Sequence, residues 1–151
     1  MTDSRSDRVA EVEAFMGVVE RWAEGRADIE AVALVGSWAR GSATDHSDVD
    51  LVVITTAPAR YLDDTEWIST FPGARLIRQR SFGRVDERRL LMPTGLEIEV
   101  GVTTPEWVTT GHLDEGTSAV VRAGLRIVYD PRGMLRALVT RVSAGHGDTG
   151  S

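Results

Sequence analysis

Two short apolar runs organise the first third of the chain: Ala31-Val32-Ala33-Leu34-Val35 and Leu51-Val52-Val53-Ile54. Each is bounded by Gly and small polar residues, which predicts two buried strands. Before them, Val9, Val12, Met16, Val19 and Ala23 recur at three- and four-residue spacing. That period predicts an amphipathic helix, opened by Ser6 or Asp7 as N-cap and ended at Gly25. After the second run Pro58 breaks the pattern, and Asp63-Asp64-Thr65-Glu66-Trp67-Ile68 predicts a short helix with acids at its N-terminus. Pro72-Gly73 marks a turn. Three strand-like segments follow, over 74–82, 84–92 and 96–103, with Pro93-Thr94-Gly95 joining the last two as a hairpin. A helix is expected over 117–123, with Asp114 or Thr117 as its cap, then a strand over 125–129. Asp130-Pro131 reads as the entry turn of a last helix running from about 133 to 142. The expected fold class is α/β (α+β): a mixed β-sheet of about five strands flanked by helices, which are placed on one side. Residues 1–142 are read as a single domain, and the Gly-rich stretch 143–151 as a disordered tail.

Composition narrows the setting. A chain of 151 residues, 42% hydrophobic and 26% charged, has material for one ordinary core. The absence of cysteine excludes disulfides and thiolate metal sites, and suits a reducing cytoplasm. No apolar stretch approaches a membrane span, and no apolar segment follows Met1-Thr2-Asp3-Ser4-Arg5 as a secretion signal requires, so the expected location is cytoplasmic. A net charge of −6 argues against broad nucleic-acid binding, while leaving room for a local basic cleft.

The chemistry is concentrated between the two apolar runs, in Gly36-Ser37-Trp38-Ala39-Arg40-Gly41 and Ser47-Asp48-Val49-Asp50-Leu51. A short helix opening after the first strand would leave free backbone N–H groups near Gly36 and Ser37, a favoured place for phosphate. On the second strand Asp48 and Asp50 face one side and Val49 and Leu51 the other, because side chains alternate. Two strand rises set the carboxylates about 7 Å apart, and such a hard-oxygen pair suits Mg²⁺. Unpartnered carboxylates on an otherwise apolar strand are costly, so a role in holding charge explains them better than a solvated strand edge. A phosphate cradle beside a divalent-cation site implies nucleotide chemistry.

This arrangement resembles the polymerase-β-type nucleotidyltransferase superfamily, whose signature is a strand ending in Gly-Ser followed by Asp-hydrophobic-Asp. Gly36, Ser37, Asp48 and Asp50 fall on the motif positions, and the local spelling resembles the small bacterial single-domain members, both minimal nucleotidyltransferases and antibiotic adenylyltransferases. The resemblance implies a third carboxylate on a neighbouring strand. Glu97 and Glu99 are the candidates, on one face of Leu96-Glu97-Ile98-Glu99-Val100, and the spacing from Gly95 favours Glu99. It also implies the roles. Asp48 and Asp50 would bind Mg²⁺, with two ions expected; Glu99 would complete the second metal site or take the acceptor's proton. Gly36 and Ser37 would grip the phosphates of a nucleoside triphosphate, ATP being the expected one. Attack at the α-phosphorus would then release pyrophosphate.

Other residues divide between chemistry and packing. Arg40 is a candidate for the triphosphate, or equally a surface cation. Arg75, Arg78, Arg80, Arg84, Arg88 and Arg89 form a basic region in which Arg78 and Arg80 share a strand face; it reads as a solvated face before it reads as an anion site. His46, His112 and His146 have no zinc-ligand spacing. Trp38, Trp67 and Trp107 are expected in core or rim packing, with stacking on a base as the alternative. The resemblance leaves three functions: transfer of a nucleoside monophosphate to a small-molecule hydroxyl, adenylylation of a partner toxin by an antitoxin, and a non-catalytic nucleotide-binding module. Antibiotic-modifying relatives commonly carry an extra helical domain, so a homodimer is one route to a complete acceptor pocket here.

Overall fold

The computed structural model describes residues 4–82, 85–109 and 115–148. Its helix α1 spans Ser4–Glu24 and is followed by strands β1 (Ile29–Val35) and β2 (Val49–Thr55). A short helix α2 (Ala59–Leu62) and a 3₁₀ turn (Glu66–Thr70) lead to β3 (Arg75–Phe82), β4 (Val85–Leu91) and β5 (Glu97–Thr103). The chain closes with α3 (Glu106–Thr109), α4 (Glu115–Ala123), β6 (Leu125–Tyr129) and α5 (Met134–Asp148). The strands make one six-stranded sheet in the order β3-β4-β5-β2-β1-β6, in which β2 and β5 run parallel and every other pair antiparallel. The mixed α+β architecture agrees with the sequence reading, and the six strands coincide with the six strand segments read from the sequence, one above the total of about five.

Helices cover both faces of the sheet, not one. Val32, Leu34, Val49, Leu51, Val53, Ile98 and Val100 meet the buried stripe of α1, which is Val12, Phe15, Met16, Val19, Trp22 and Ala23. Val9, expected on that stripe, is 40% exposed. Trp22 packs with Tyr61, Trp67 and Phe71 at ring separations of 5.4–5.8 Å, so the chain after β2 completes this layer. On the other face Ala31, Ala33, Val52 and Ile54 pack under Trp107, Val108, Val121, Leu135 and Leu138. The alternating apolar residues of β1 and β2 thus feed two cores, and a strand buried on both faces reads as a continuous apolar run.

Local signals held where a side chain decides them. Asp130 caps α5, its carboxylate accepting from the backbone N–H groups of Leu135 (3.1 Å) and Arg136 (3.0 Å). The Pro93-Thr94-Gly95 hairpin closes with Met92 N–H donating to the Leu96 carbonyl at 2.8 Å. Helix α5 continues through 143–148, residues read from the sequence as tail. His112, Asp114 and the side chains of Thr117 and His146 lie outside the described residues.

Asp28 ties β2 to α2. Its carboxylate accepts from Tyr61 Oη at 2.6 Å and Thr55 Oγ1 at 2.7 Å, and pairs with Arg60 at 3.2 Å. Burial alone would raise its pKa, but the Tyr61 and Thr55 hydroxyls and Arg60 outweigh burial and hold it below the ordinary value. A depressed acid stabilises the fold above its unfolded pKa, and that stability is lost as pH falls through the folded value. Asp28→Ala should therefore cost about 3 kcal/mol at neutral pH, by orphaning two hydroxyls. In urea melts the difference from the parent protein should begin to shrink below about pH 4, where the unfolded chain takes up the proton, and should shrink further once the folded carboxyl is protonated.

Candidate active site

The candidate site lies on the sheet face that α3, α4 and α5 cover, at the end of β2 beyond their reach. Asp48 precedes β2 and Asp50 is its second residue, on the same side as buried Val52 and Ile54. Val49 and Leu51 point into the opposite core, as alternation requires. The parallel register sets Asp50 directly against Glu99 on β5. The antiparallel register of β4 then sets Arg89 against Glu99. By the same alternation Glu97 and Glu87 share this face. One row of charge therefore crosses three adjacent strands.

The loop before β2 is held by its own polar groups. Thr44 N–H donates to Ser47 Oγ at 2.9 Å, Ser47 N–H to the Thr44 carbonyl at 3.1 Å, and Trp38 Nε1 to the Ser47 carbonyl at 3.2 Å. Arg8 of α1 adds a bond from Nε to the Asp45 carbonyl at 3.2 Å. Trp38 is thus a brace between the two motif halves, while Trp67 and Trp107 are core residues.

The expected short helix after Gly36-Ser37 is absent among the described residues. In its place is a turn in which the Ala39 and Arg40 N–H groups reach the Gly36 carbonyl (3.1 and 3.2 Å) and Ser42 N–H reaches that of Ser37 (3.0 Å). Gly41, at φ +76°, leaves helical space, so the turn cannot propagate. Arg40 is exposed, with Nε on Ser42 Oγ at 3.1 Å and its Cβ against Gly124. The structure does not bring Arg40 to the carboxylates.

Electrostatics follow from the crowding. Burial, then the charges of Glu99 and Asp48, push the Asp50 carboxyl up to about 6. Burial and a hydrogen bond to Glu99 push Glu87 up to about 7. For half-buried Glu99, desolvation pulls upward but the Glu87 hydrogen bond and Arg89 outweigh it and hold the carboxyl below its ordinary value. That guanidinium stands 2.8 Å from Asp48, 3.5 Å from Glu97 and 3.2 Å from Glu99. Arg78 adds a contact to Glu99 at 3.7 Å. The Arg78 face, read as solvated, thus borders the carboxylates.

A family model described as streptomycin adenylyltransferase matches residues 10–90, more than half of the chain. The chain belongs to that family. Gly36, Ser37, Asp48 and Asp50 all lie within the matched stretch, and Glu97 and Glu99 beyond it. Membership in this adenylyltransferase family supports a nucleotidyltransferase enzyme. No curated protein matches the chain. Similar solved structures include the Cid1 poly(U) polymerase, with 18% identity and a TM-score of 0.46 over 62% of this chain and 30% of that one. Another is a cytoplasmic RNA terminal U-transferase, with 21% identity and a TM-score of 0.44 over 68% of this chain and 30% of that one. The chain spans 30% of the length of both. Among the described residues no helix is long and apolar enough to cross a membrane.

Two features of this adenylyltransferase-family site were not singled out in sequence. Glu87 and Arg89 enter because β4 pairs with β5, a nonlocal fact; alternation from Arg89 along Val85-Asp86-Glu87-Arg88-Arg89 is the only local signal. The second is the contact between Gly36 and Asp50. Gly36 sits at φ +75°, and a Cβ there would lie 2.3 Å from Asp50 Oδ2. Gly36→Ala should consequently strain the backbone and displace the carboxylate together. We expect a melting temperature several degrees lower, from about 1–3 kcal/mol of strain, and transfer activity reduced far more than Ser37→Ala reduces it.

The donor set fits a hard cation. Asp48, Asp50 and Glu99 offer carboxylate oxygens only, on one face, and the Asp50 carboxyl is raised first by burial and then by the charges of Glu99 and Asp48, a repulsion that positive charge would relieve. In the arrangement described, Arg89 supplies that charge, and among the described residues no three acids or imidazoles already converge as metal ligands.

Proposed function

We propose that this protein moves a nucleoside monophosphate from a nucleoside triphosphate, ATP in the first instance, to a hydroxyl of a small-molecule acceptor and releases pyrophosphate. The observation carrying this reading is the Asp50–Glu99 pairing across β2 and β5, with Asp48 on the same face and the Gly36 backbone against Asp50. The family's description as streptomycin adenylyltransferase supports a small-molecule acceptor over a protein or RNA. The net charge of −6 points the same way, since a polyanionic acceptor would meet an acidic surface.

In this reading the chain through the end of α5 acts as one catalytic unit, beyond the boundary at 142 read from the sequence, in a reducing cytoplasm. Asp48, Asp50 and Glu99 would hold Mg²⁺, as one or two ions. Bound there, the cation would neutralise the triphosphate and lower the pKa of the acceptor hydroxyl. The Gly36-Ser37 turn lies beside Asp50 and supports the phosphates through Ser37 Oγ and backbone N–H groups, while Glu99, opposite Asp50, receives the acceptor's proton. Positioning and charge neutralisation account for most of the rate.

Two measurements test this. Calorimetric titration of ATP, GTP, CTP and UTP should show binding in Mg²⁺ and its loss in EDTA; equal affinity in both buffers rules out a carboxylate-held cation. Incubation with α-labelled triphosphates, Mg²⁺ and cell extract should place label in the small-molecule fraction. Label in a single protein band would instead favour the toxin-adenylylating reading, and no transfer from any nucleotide the binding-only module.

A further inference from the structure

Arg89 is a partly buried cation that the proposed chemistry does not use. Its side chain is 13% exposed, and its two terminal nitrogens contact Asp48, Glu97 and Glu99 at 2.8, 3.5 and 3.2 Å. Its Nε is buried with no hydrogen-bond partner among the described residues. Buried donors are ordinarily satisfied, so an orphaned Nε indicates a guanidinium placed for its other contacts. The register explains the placement. Arg89 stands against Glu99, and Glu99 against Asp50, so the fork lies in the row of acids that crosses the sheet. On the other side Arg89 pairs with Arg78, a like charge, so its attraction is to the carboxylates alone.

We infer that Arg89 is the resident counter-cation of this site and competes with the divalent cation for Asp48 and Glu99. The inference rests on the reading of Asp48, Asp50 and Glu99 as the metal-holding set. The Asp48 Oδ2 lone pair that accepts the Arg89 hydrogen bond is closed to a metal, and the guanidinium charge beside Asp48 and Glu99 repels a second cation, so metal binding is opposed as long as Arg89 stays in the acid row. Bare metal therefore binds the nucleotide-free protein weakly. Metal entering together with a triphosphate binds well, because the phosphates bring further oxygen ligands and offer the released guanidinium an anion. Arg89 is a positioning residue that makes metal and nucleotide occupancy mutually dependent.

The test is Mn²⁺ binding to the nucleotide-free full chain, read from the free-Mn²⁺ electron paramagnetic resonance signal. Arg89→Met should bind Mn²⁺ at least about tenfold tighter than the parent, the worth of one lost charge-assisted hydrogen bond. Arg89→Lys, which keeps a cation without the fork, should fall between them. In the parent, the ¹⁵N resonance of the Arg89 Nε–H, assigned by its disappearance in Arg89→Lys, should shift with Mg²⁺ along the same binding curve. That measurement decides the matter even if Arg89→Met does not fold. Unchanged or weaker Mn²⁺ binding in Arg89→Met, or an Nε resonance that ignores bound Mg²⁺, overturns the competition. If Asp50→Asn abolishes Mn²⁺ binding in that case, the metal-site reading survives it. If neither parent nor Arg89→Met binds Mn²⁺ at all, both readings fall.

Discussion

Asp50→Asn should lower nucleotidyl transfer by a thousandfold or more, on the order of what a missing electrostatic stabiliser costs, while the protein melts no lower than its parent. Both halves follow from the position. Asp50 stands at the centre of the acid row, against Glu99 on one strand and two residues from Asp48 on its own, with one oxygen over the Gly36 backbone. Its carboxyl is pushed up to about 6 by burial and by those two acids, so the ionised form at neutral pH is a cost to the folded state. A raised acid destabilises above its unfolded pKa, and the fold recovers that stability as pH drops through about 6. Asparagine removes the charge at nearly constant shape. Any gain in melting temperature, measured in EDTA, should thus be larger at pH 8 than at pH 5. A residue placed for packing would behave in the opposite way, losing stability and sparing activity. Unimpaired pyrophosphate release by the variant would remove Asp50 from the active site.

The parts of this site visible in the sequence are those fixed by local rules. The period-two alternation that puts Asp48 and Asp50 opposite Val49 and Leu51 needs only one strand, and the register agrees with it. The strands themselves announce themselves as apolar runs between Gly, Pro and polar clusters, and 125–129 is observed with the expected bounds. The Asp130 cap is equally local. What the sequence concealed depends on pairing across distance. Arg89 read as one member of a basic, solvated stretch, because nothing within β4 says that β5 will place two glutamates beside it. The same ignorance of neighbours put all helices on one face: Ala31 and Ala33 look like spacers between larger residues, yet they make room for α5 and its Leu135 and Leu138. The helix expected after Ser37 failed for a local reason that was legible. A second glycine, Gly41, lies five residues beyond Gly36, and at φ +76° it turns the chain out of the helix before a second turn can form.

Glu99→Gln and Glu97→Gln should separate cleanly, although both acids lie on one face of β5. Glu99 is level with Asp50, its side chain 20% exposed and in contact with Arg89 and Arg78. Glu97 lies two residues nearer the Pro93-Thr94-Gly95 hairpin, at the Asp48 end, 39% exposed, and its ion-pair contact among the described residues is the longer one to Arg89, at 3.5 Å. A proton acceptor opposite Asp50 acts chiefly in the transition state, so its loss should leave triphosphate affinity nearly unchanged and cut kcat by roughly a hundredfold to ten-thousandfold. Glu97→Gln removes one weak, half-exposed ion pair, and kcat should stay within about threefold of the parent. The split between KM and kcat is the informative readout. Were Glu99 only a structural partner of Arg89, its amide would loosen the fold, and nucleotide binding and turnover would decline together. A large kcat loss in Glu97→Gln with a near-normal Glu99→Gln would instead move the reacting centre toward Asp48, where Glu97 and the loop from Asp45 to Ser47 would flank the acceptor. The β2–β5 register argues against that outcome, since among the described strand pairs it is at Asp50 that a half-buried acid on one strand faces a half-buried acid on the next.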